Sequence, residues 1–277
     1  MHFWVLALVT LAGGLAISAV GQQSAAAPLA LQIATSTVRP AGSTVPSVIV
    51  VLGVRQDMGE KASSASEVVD VRVEAFTSDG KSQGMTAYTT KVAFTRSVDA
   101  VIDYELLAKL TLPPGRYQIR ATVRTVADGR SGRVFADADV PRRSSDAFEM
   151  SSIVFSTTPG LPSAPRSALA GVLPFVPTSL REFSRVLRVT AWAQLALSDD
   201  PLLHPTTFRA RIVNMNDSEV FRDQRVITPA PLERNRLATY KVDIPLQNFL
   251  PGSYALSFFA TSELRPPQQR DVRFTVQ

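Results

Sequence analysis

Cysteine is absent from all 277 residues. That excludes disulfides, thiolate catalysis, cysteine-ligated zinc and a lipoprotein attachment cysteine, and leaves stability to hydrophobic cores alone. Histidine is nearly as scarce, with only His2 and His204. Metal sites built on several histidines are therefore excluded. A Ser-His-Asp triad would have to use His204, in Asp200-Pro201-Leu202-Leu203-His204-Pro205, which reads as a loop histidine beside proline. No run of basic residues exceeds Arg142-Arg143, although the formal net charge is +5. Acidic and basic residues are interspersed, as in Asp70-Val71-Arg72-Val73-Glu74, so the excess reads as solvated surface and not as a nucleic-acid footprint.

Long apolar runs are confined to the N-terminus. Phe3 to Val20 is uncharged and apolar, and Ala19-Val20-Gly21 offers small residues for a cut before Gln22. Residues 1–21 are expected to be a secretory signal peptide. An uncleaved anchor is the alternative, since the run approaches the ~17–25 residues that cross a bilayer. Only that alternative would tie the chain to a membrane. Either way the remainder is expected outside the cytoplasm, in the periplasm, at the cell surface or secreted.

What the chain has in quantity is alternation at period two, punctuated by 19 prolines and 14 glycines. Val69, Val71, Val73 and Ala75 alternate with Asp70, Arg72 and Glu74; Tyr117, Ile119, Ala121 and Val123 alternate with Gln118, Arg120, Thr122 and Arg124. Val134, Ala136, Ala138 and Val140 follow, then, after a break, Leu187 to Leu195, Phe208 to Ile212, Tyr254 to Ala260 and Val272 to Val276. Each run predicts an antiparallel strand with one buried and one wet face. Turn signals such as Ser78-Asp79-Gly80, Pro113-Pro114-Gly115 and Asp128-Gly129 separate them. The fold class is all-β: two tandem immunoglobulin- or fibronectin-like antiparallel β-sandwiches. After a leader over 22–30, the first sandwich is expected at 31–155, a proline-rich linker at 156–177, and the second sandwich at 178–277.

The two halves echo each other. Leu112-Pro113-Pro114-Gly115-Arg116-Tyr117 matches Leu250-Pro251-Gly252-Ser253-Tyr254 with one residue fewer. Tyr117 and Tyr254 are expected to act as tyrosine corners, burying the ring while the hydroxyl reaches backbone. Leu112 to Arg120, Gly132 to Pro141, Ser152 to Phe155 and the stretch from Pro177 to Val276, ending in Asp271-Val272-Arg273-Phe274-Thr275-Val276, resemble the C-terminal region of bacterial von Willebrand factor A-related proteins of the acidobacterial type. The resemblance implies an extracytoplasmic protein with β-sandwich modules of the kind that follow an adhesive domain. The Asp-x-Ser-x-Ser metal loop of a von Willebrand A domain is missing from the chain, so metal-dependent adhesion is not carried over.

Candidate chemistry is sparse. Ser78-Asp79-Gly80-Lys81 fits Ser-x-x-Lys but reads as a hairpin turn. Asp137 and Asp139, with Asp128 and Asp146 nearby in sequence, and the pair Asp199-Asp200, could offer oxygens to calcium, yet read first as a wet strand face. No catalytic residue, cofactor or metal site is expected. If Leu187, Val189, Ala191, Ala193 and Leu195 point inward, Trp192 points outward beside Arg188. By the same logic Phe76, Phe135 and Phe259 are outward. Exposed aromatics beside arginine suit an interaction surface; a linker, an added strand or the other domain covering these rings is the more economical reading. The expected role is a non-enzymatic interaction or structural module binding an envelope protein. The alternative is a carbohydrate-binding module that stacks cell-surface glycan on these aromatics.

Overall fold

The alternating runs all form strands, and the strands build two sandwiches of one topology. The structure is a computed structural model that describes residues 28–40, 42–43, 45–55, 66–93, 102–142, 148–197, 204–228, 236–263 and 265–277. The segment expected to be a signal peptide, 1–21, and most of the expected leader lie outside the described residues. In chain order the strands are β1 (Ala30–Val38), β2 (Ser47–Arg55), β3 (Ser66–Phe76), β4 (Ser82–Ala93), β5 (Tyr104–Thr111), β6 (Gly115–Thr125), β7 (Ser131–Val140) and β8 (Phe148–Met150). They continue as β9 (Val154–Thr158), β10 (Ser163–Ala164), β11 (Glu182–Phe183), β12 (Arg188–Leu197), β13 (Thr206–Asn214), β14 (Glu219–Ile227), β15 (Leu237–Ile244), β16 (Gly252–Ser262) and β17 (Gln268–Val276).

In the first sandwich an inner sheet, β1-β2-β5-β10, faces an outer sheet, β4-β3-β6-β7. In the second, an inner sheet of β15-β12 with β8 and β9 both on β12 faces an outer sheet, β11-β17-β16-β13-β14. The strand orders superpose: β2, β3, β4, β5, β6 and β7 correspond to β12, β13, β14, β15, β16 and β17. The long-period echo in the sequence is thus a duplicated fibronectin-like fold. Each sandwich has its own core, with Tyr104, Leu106 and Ile119 in the first and Phe155, Phe183, Phe208, Tyr240 and Phe258 in the second.

The boundary between them differs from the one expected. The first sandwich stops before residue 148, because β8 and β9 pair along β12 with Phe148, Met150 and Phe155 in the second core. These strands take the place that β1 takes beside β2. The proline-rich segment after them is a strap and not a loose tether. Its residues 163–164 pair in parallel with β5, Pro162 accepts from the Glu105 amide, and Leu169, Val172 and Leu173 are buried. The strap's apolar side chains join Val38, Ile49, Val51 and Leu107 on the back of the first inner sheet to Val154 and Trp192 on the back of the second. The two inner sheets therefore meet back to back, and the two outer sheets form the opposite faces of the molecule.

Polar groups close the junction. The Glu105 Oε1 accepts from the Thr178 hydroxyl (2.8 Å), the Ser179 amide (2.6 Å) and the Ser179 hydroxyl (2.9 Å). The Gln194 side chain accepts from the Arg39 amide (2.7 Å) and donates to the Arg39 carbonyl (2.8 Å), matching a backbone pair with one side-chain amide.

Candidate functional site

Backbone register decides which outward side chains become neighbours, and on the outer sheet of the first sandwich it gathers arginines. Strand β3 pairs with β6 so that Glu74 faces Arg120, Arg72 faces Thr122 and Asp70 faces Arg124. On its other side β6 pairs with β7, placing Phe135 beside Arg120 and Arg133 beside Thr122. Thr122 thus has Arg72 and Arg133 to either side and Arg120 and Arg124 two residues up and down its own strand. This face lines a shallow depression of about 1090 Å³ that includes Phe76, Arg120, Thr122, Arg124, Arg133 and Phe135.

The charges are not equal. Arg72 donates to Glu74 Oε2 through Nε (3.2 Å) and Nη2 (2.8 Å), and Glu74 also accepts from the Ser82 hydroxyl. These bonds, the Arg72 one first, hold the Glu74 carboxyl below the usual carboxylate range, so it stays ionised and neutralises one arginine. Asp70 accepts from the Thr89 hydroxyl at 2.6 Å. Arg120 stacks over the Phe76 ring, 4.1 Å from its centroid, and donates to Gln118. Arg124 and Arg133 are exposed and make no ion pair among the described residues. The row through Glu74 and Arg120 ends in two exposed apolar side chains, Met85 on β4 (53% exposed) and Phe135 on β7 (51%).

The five candidate binding residues do not share one site. Phe76 and Phe135 lie on this face. Phe259 is on the other outer sheet, under Arg209, whose guanidinium carbon is 4.7 Å from the ring centroid. Arg188 is exposed at the start of β12, away from both. Trp192 does point away from its sheet's core, but it is only 4% exposed: the strap covers it, with Phe175 edge-on at 5.7 Å. It is a junction residue and not a surface platform. The tyrosine corners are formed. The Tyr117 hydroxyl donates to the Pro113 carbonyl (2.8 Å) and that of Tyr254 to the Leu250 carbonyl (2.7 Å), at the same step in each repeat.

Motifs with catalytic spellings fold into turns. Ser78 to Lys81 is the β3–β4 hairpin, with the Gly80 amide donating to Thr77 and Lys81 bound to Asp79 at 2.8 Å. The overlapping Gly80-Lys81-Ser82-Gln83-Gly84 spells a nucleophile elbow, which requires a strand-turn-helix; here it enters a strand, and Ser82 donates to Glu74. His204 sits in the other sandwich, 3.3 Å from Glu263. Asp137 and Asp139 are exposed along β7, while Asp128 holds Thr125 and Arg130 in a turn. Asp146, Asp199 and Asp200 lie outside the described residues. Among the described residues no three His, Cys, Asp or Glu side chains cluster to hold a metal. Sequence reasoning missed the arginine cluster. The outward set Gln118, Arg120, Thr122 and Arg124 was visible as alternation, but its neighbours depend on register.

No family model matches the chain, and no curated protein matches it. Among solved structures it is similar to Bacteroides uniformis beta-glucuronidase 2, covalently bound to cyclophellitol-6-carboxylate aziridine, with 10% identity and a TM-score of 0.31. That match covers 85% of this chain and 27% of the enzyme chain. It is also similar to a tetra-tandem repeat in the extending region of a large adhesion protein, with 11% identity, a TM-score of 0.24, and coverage of 90% of this chain and 50% of the other. The fold is a tandem β-sandwich. That fold rests on the strand pairing, and likenesses this distant add nothing to it. Among the described residues no helix is long and apolar enough to cross a membrane.

Proposed function

We propose that this protein is a non-catalytic interaction module outside the cytoplasm, binding a protein partner of the cell envelope on the outer sheet of its first sandwich. The observation that carries the reading is the face on which Met85 and Phe135 stay exposed beside Arg124 and Arg133, which make no ion pair among the described residues. Apolar side chains next to arginines are the composition of interface centres. The apolar N-terminal segment supports export, and the resemblance to modules behind a von Willebrand A domain suits an envelope role. A glycan platform is less well supported, because sugar stacking needs free ring faces. Trp192 is covered by the strap, and Phe76 and Phe259 each carry a guanidinium.

The test is cross-linked capture from the native envelope with tagged full-length chain, compared with an Arg133→Glu/Phe135→Ser variant. One reproducible partner protein, depleted about tenfold or more with the variant, is the expected result, since hot-spot losses exceed ~1 kcal/mol. Recovery of the same partner in equal yield by both proteins, or of glycan alone, contradicts the proposal.

A further inference from the structure

The arrangement around Thr122 specifies the partner further. Outward positions along β6 repeat every second residue, roughly 7 Å apart, which is also the spacing of alternate side chains in any extended peptide. Arg133 and Arg72 sit diagonally to Arg120 and Arg124, at Cβ distances of roughly 7–8 Å, within the reach of long side chains. Guanidinium forks match planar carboxylates in two-bond pairs. With Glu74 answering Arg72, the remaining cations are Arg120, Arg124 and Arg133, gathered about one threonine.

Resting on the reading that this face holds protein, we infer that the recognised part of the partner is an extended acidic segment, with carboxylates at alternate positions lying across Thr122. Its acidic side chains bind Arg124, Arg133 and the Phe76-stacked Arg120, and apolar side chains in the same segment meet Phe135 and Met85. Asp70 and Glu74 on the same face disfavour a polymer charged at every repeat, such as a polyuronate or a nucleic acid strand, because some of its charges would face carboxylates. A peptide can leave those positions neutral.

Fluorescence anisotropy with a labelled Glu-Thr repeat peptide tests this on the full chain, with a Lys-Thr repeat peptide and an oligoglucuronate as comparison probes. The Glu-Thr peptide binds, its affinity falls as salt rises, and Arg124→Glu/Arg133→Glu weakens it at least about tenfold. Arg142→Glu/Arg166→Glu, which removes the same charge from exposed sites elsewhere, leaves binding unchanged. Both variants keep the wild-type melting temperature, because all four side chains are exposed. Equal binding by the Arg124/Arg133 variant and wild type, or tighter binding of oligoglucuronate, overturns the inference. If the peptide fails while an envelope protein is still captured and lost with Arg133→Glu/Phe135→Ser, acidic recognition falls and the protein-binding proposal stands.

Discussion

Trp192 shows how far a single side chain can be read. Alternation placed it correctly on the side of β12 opposite the core. What covers that side is set by a strap that crosses it from Ser156 to Pro177, and no local pattern announces that crossing. Because the ring is packed against Phe175 and buried, Trp192→Ala removes a large core volume and destabilises the protein by ~3–5 kcal/mol. Chemical denaturation measures this directly; an unchanged midpoint would return the residue to the surface. Tyr117 and Tyr254 were legible for the opposite reason: each bonds a carbonyl four residues back, so the whole device is local. Glu105 was invisible in sequence because its three donors come from residues 178 and 179. Burial pushes its carboxyl above the ordinary glutamate value of 4.5, against hydrogen bonds from Thr178 and Ser179 and the nearby Arg181 that lower it. A raised folded-state value means its contribution to stability is complete below pH 4.5 and is lost as pH rises through the folded value. Wild type should therefore lose melting temperature relative to Glu105→Gln as pH increases above 4.5. Parallel profiles for the two proteins would show that this carboxyl is not the responsible group.

At the scale of the element, β2 is the informative strand. Its sequence, Ser47-Val48-Ile49-Val50-Val51-Leu52-Gly53-Val54-Arg55, lacks alternation, and all but its last residue are buried. Both of its faces are covered, one by the first core and one by the junction, which is the pattern of a central strand with no wet side. Gly53 is where the junction comes closest. A Cβ there would lie 2.2 Å from Ile102 Cδ1 and 2.5 Å from the Ser179 hydroxyl that bonds Glu105. Gly53→Ala is expected to cost ~1–3 kcal/mol through overpacking, whereas Gly80→Ala, in an open hairpin, meets no neighbour and strains only its own positive φ. Calorimetry comparing Gly53→Ala with wild type checks this, and an unaltered unfolding transition would mean the junction is looser than described. The strands themselves were legible because each carries its own period. The boundary was not: β8 and β9 look like an appendage to the first sandwich and join the second only through pairing with β12.

For the whole molecule, duplication explains both the echo in sequence and the layout of surfaces. Two sandwiches of equal topology meet through their inner sheets, so their outer sheets are left facing away from the junction. Both outer sheets carry an Arg–Phe pair across equivalent central strands, Arg120 over Phe76 and Arg209 over Phe259. The first adds Arg124 and Arg133, which make no ion pair among the described residues, beside exposed Phe135 and Met85. On the second, Arg211 is held by Glu219 at 3.1 Å, while exposed Arg273 likewise makes no ion pair among the described residues. The proposed binding role is assigned to one end of a duplicated molecule. Hydroxyl-radical footprinting of the full chain, with and without the captured partner, tests that claim most directly. Met85 and Phe135 report on the proposed face, and Met215, 81% exposed in the β13–β14 turn, reports on the other sandwich. Partner binding should suppress oxidation of Met85 and Phe135 and leave Met215 reactive. Protection of Met215 with Met85 and Phe135 still oxidised would place the interaction on the second sandwich and contradict the account.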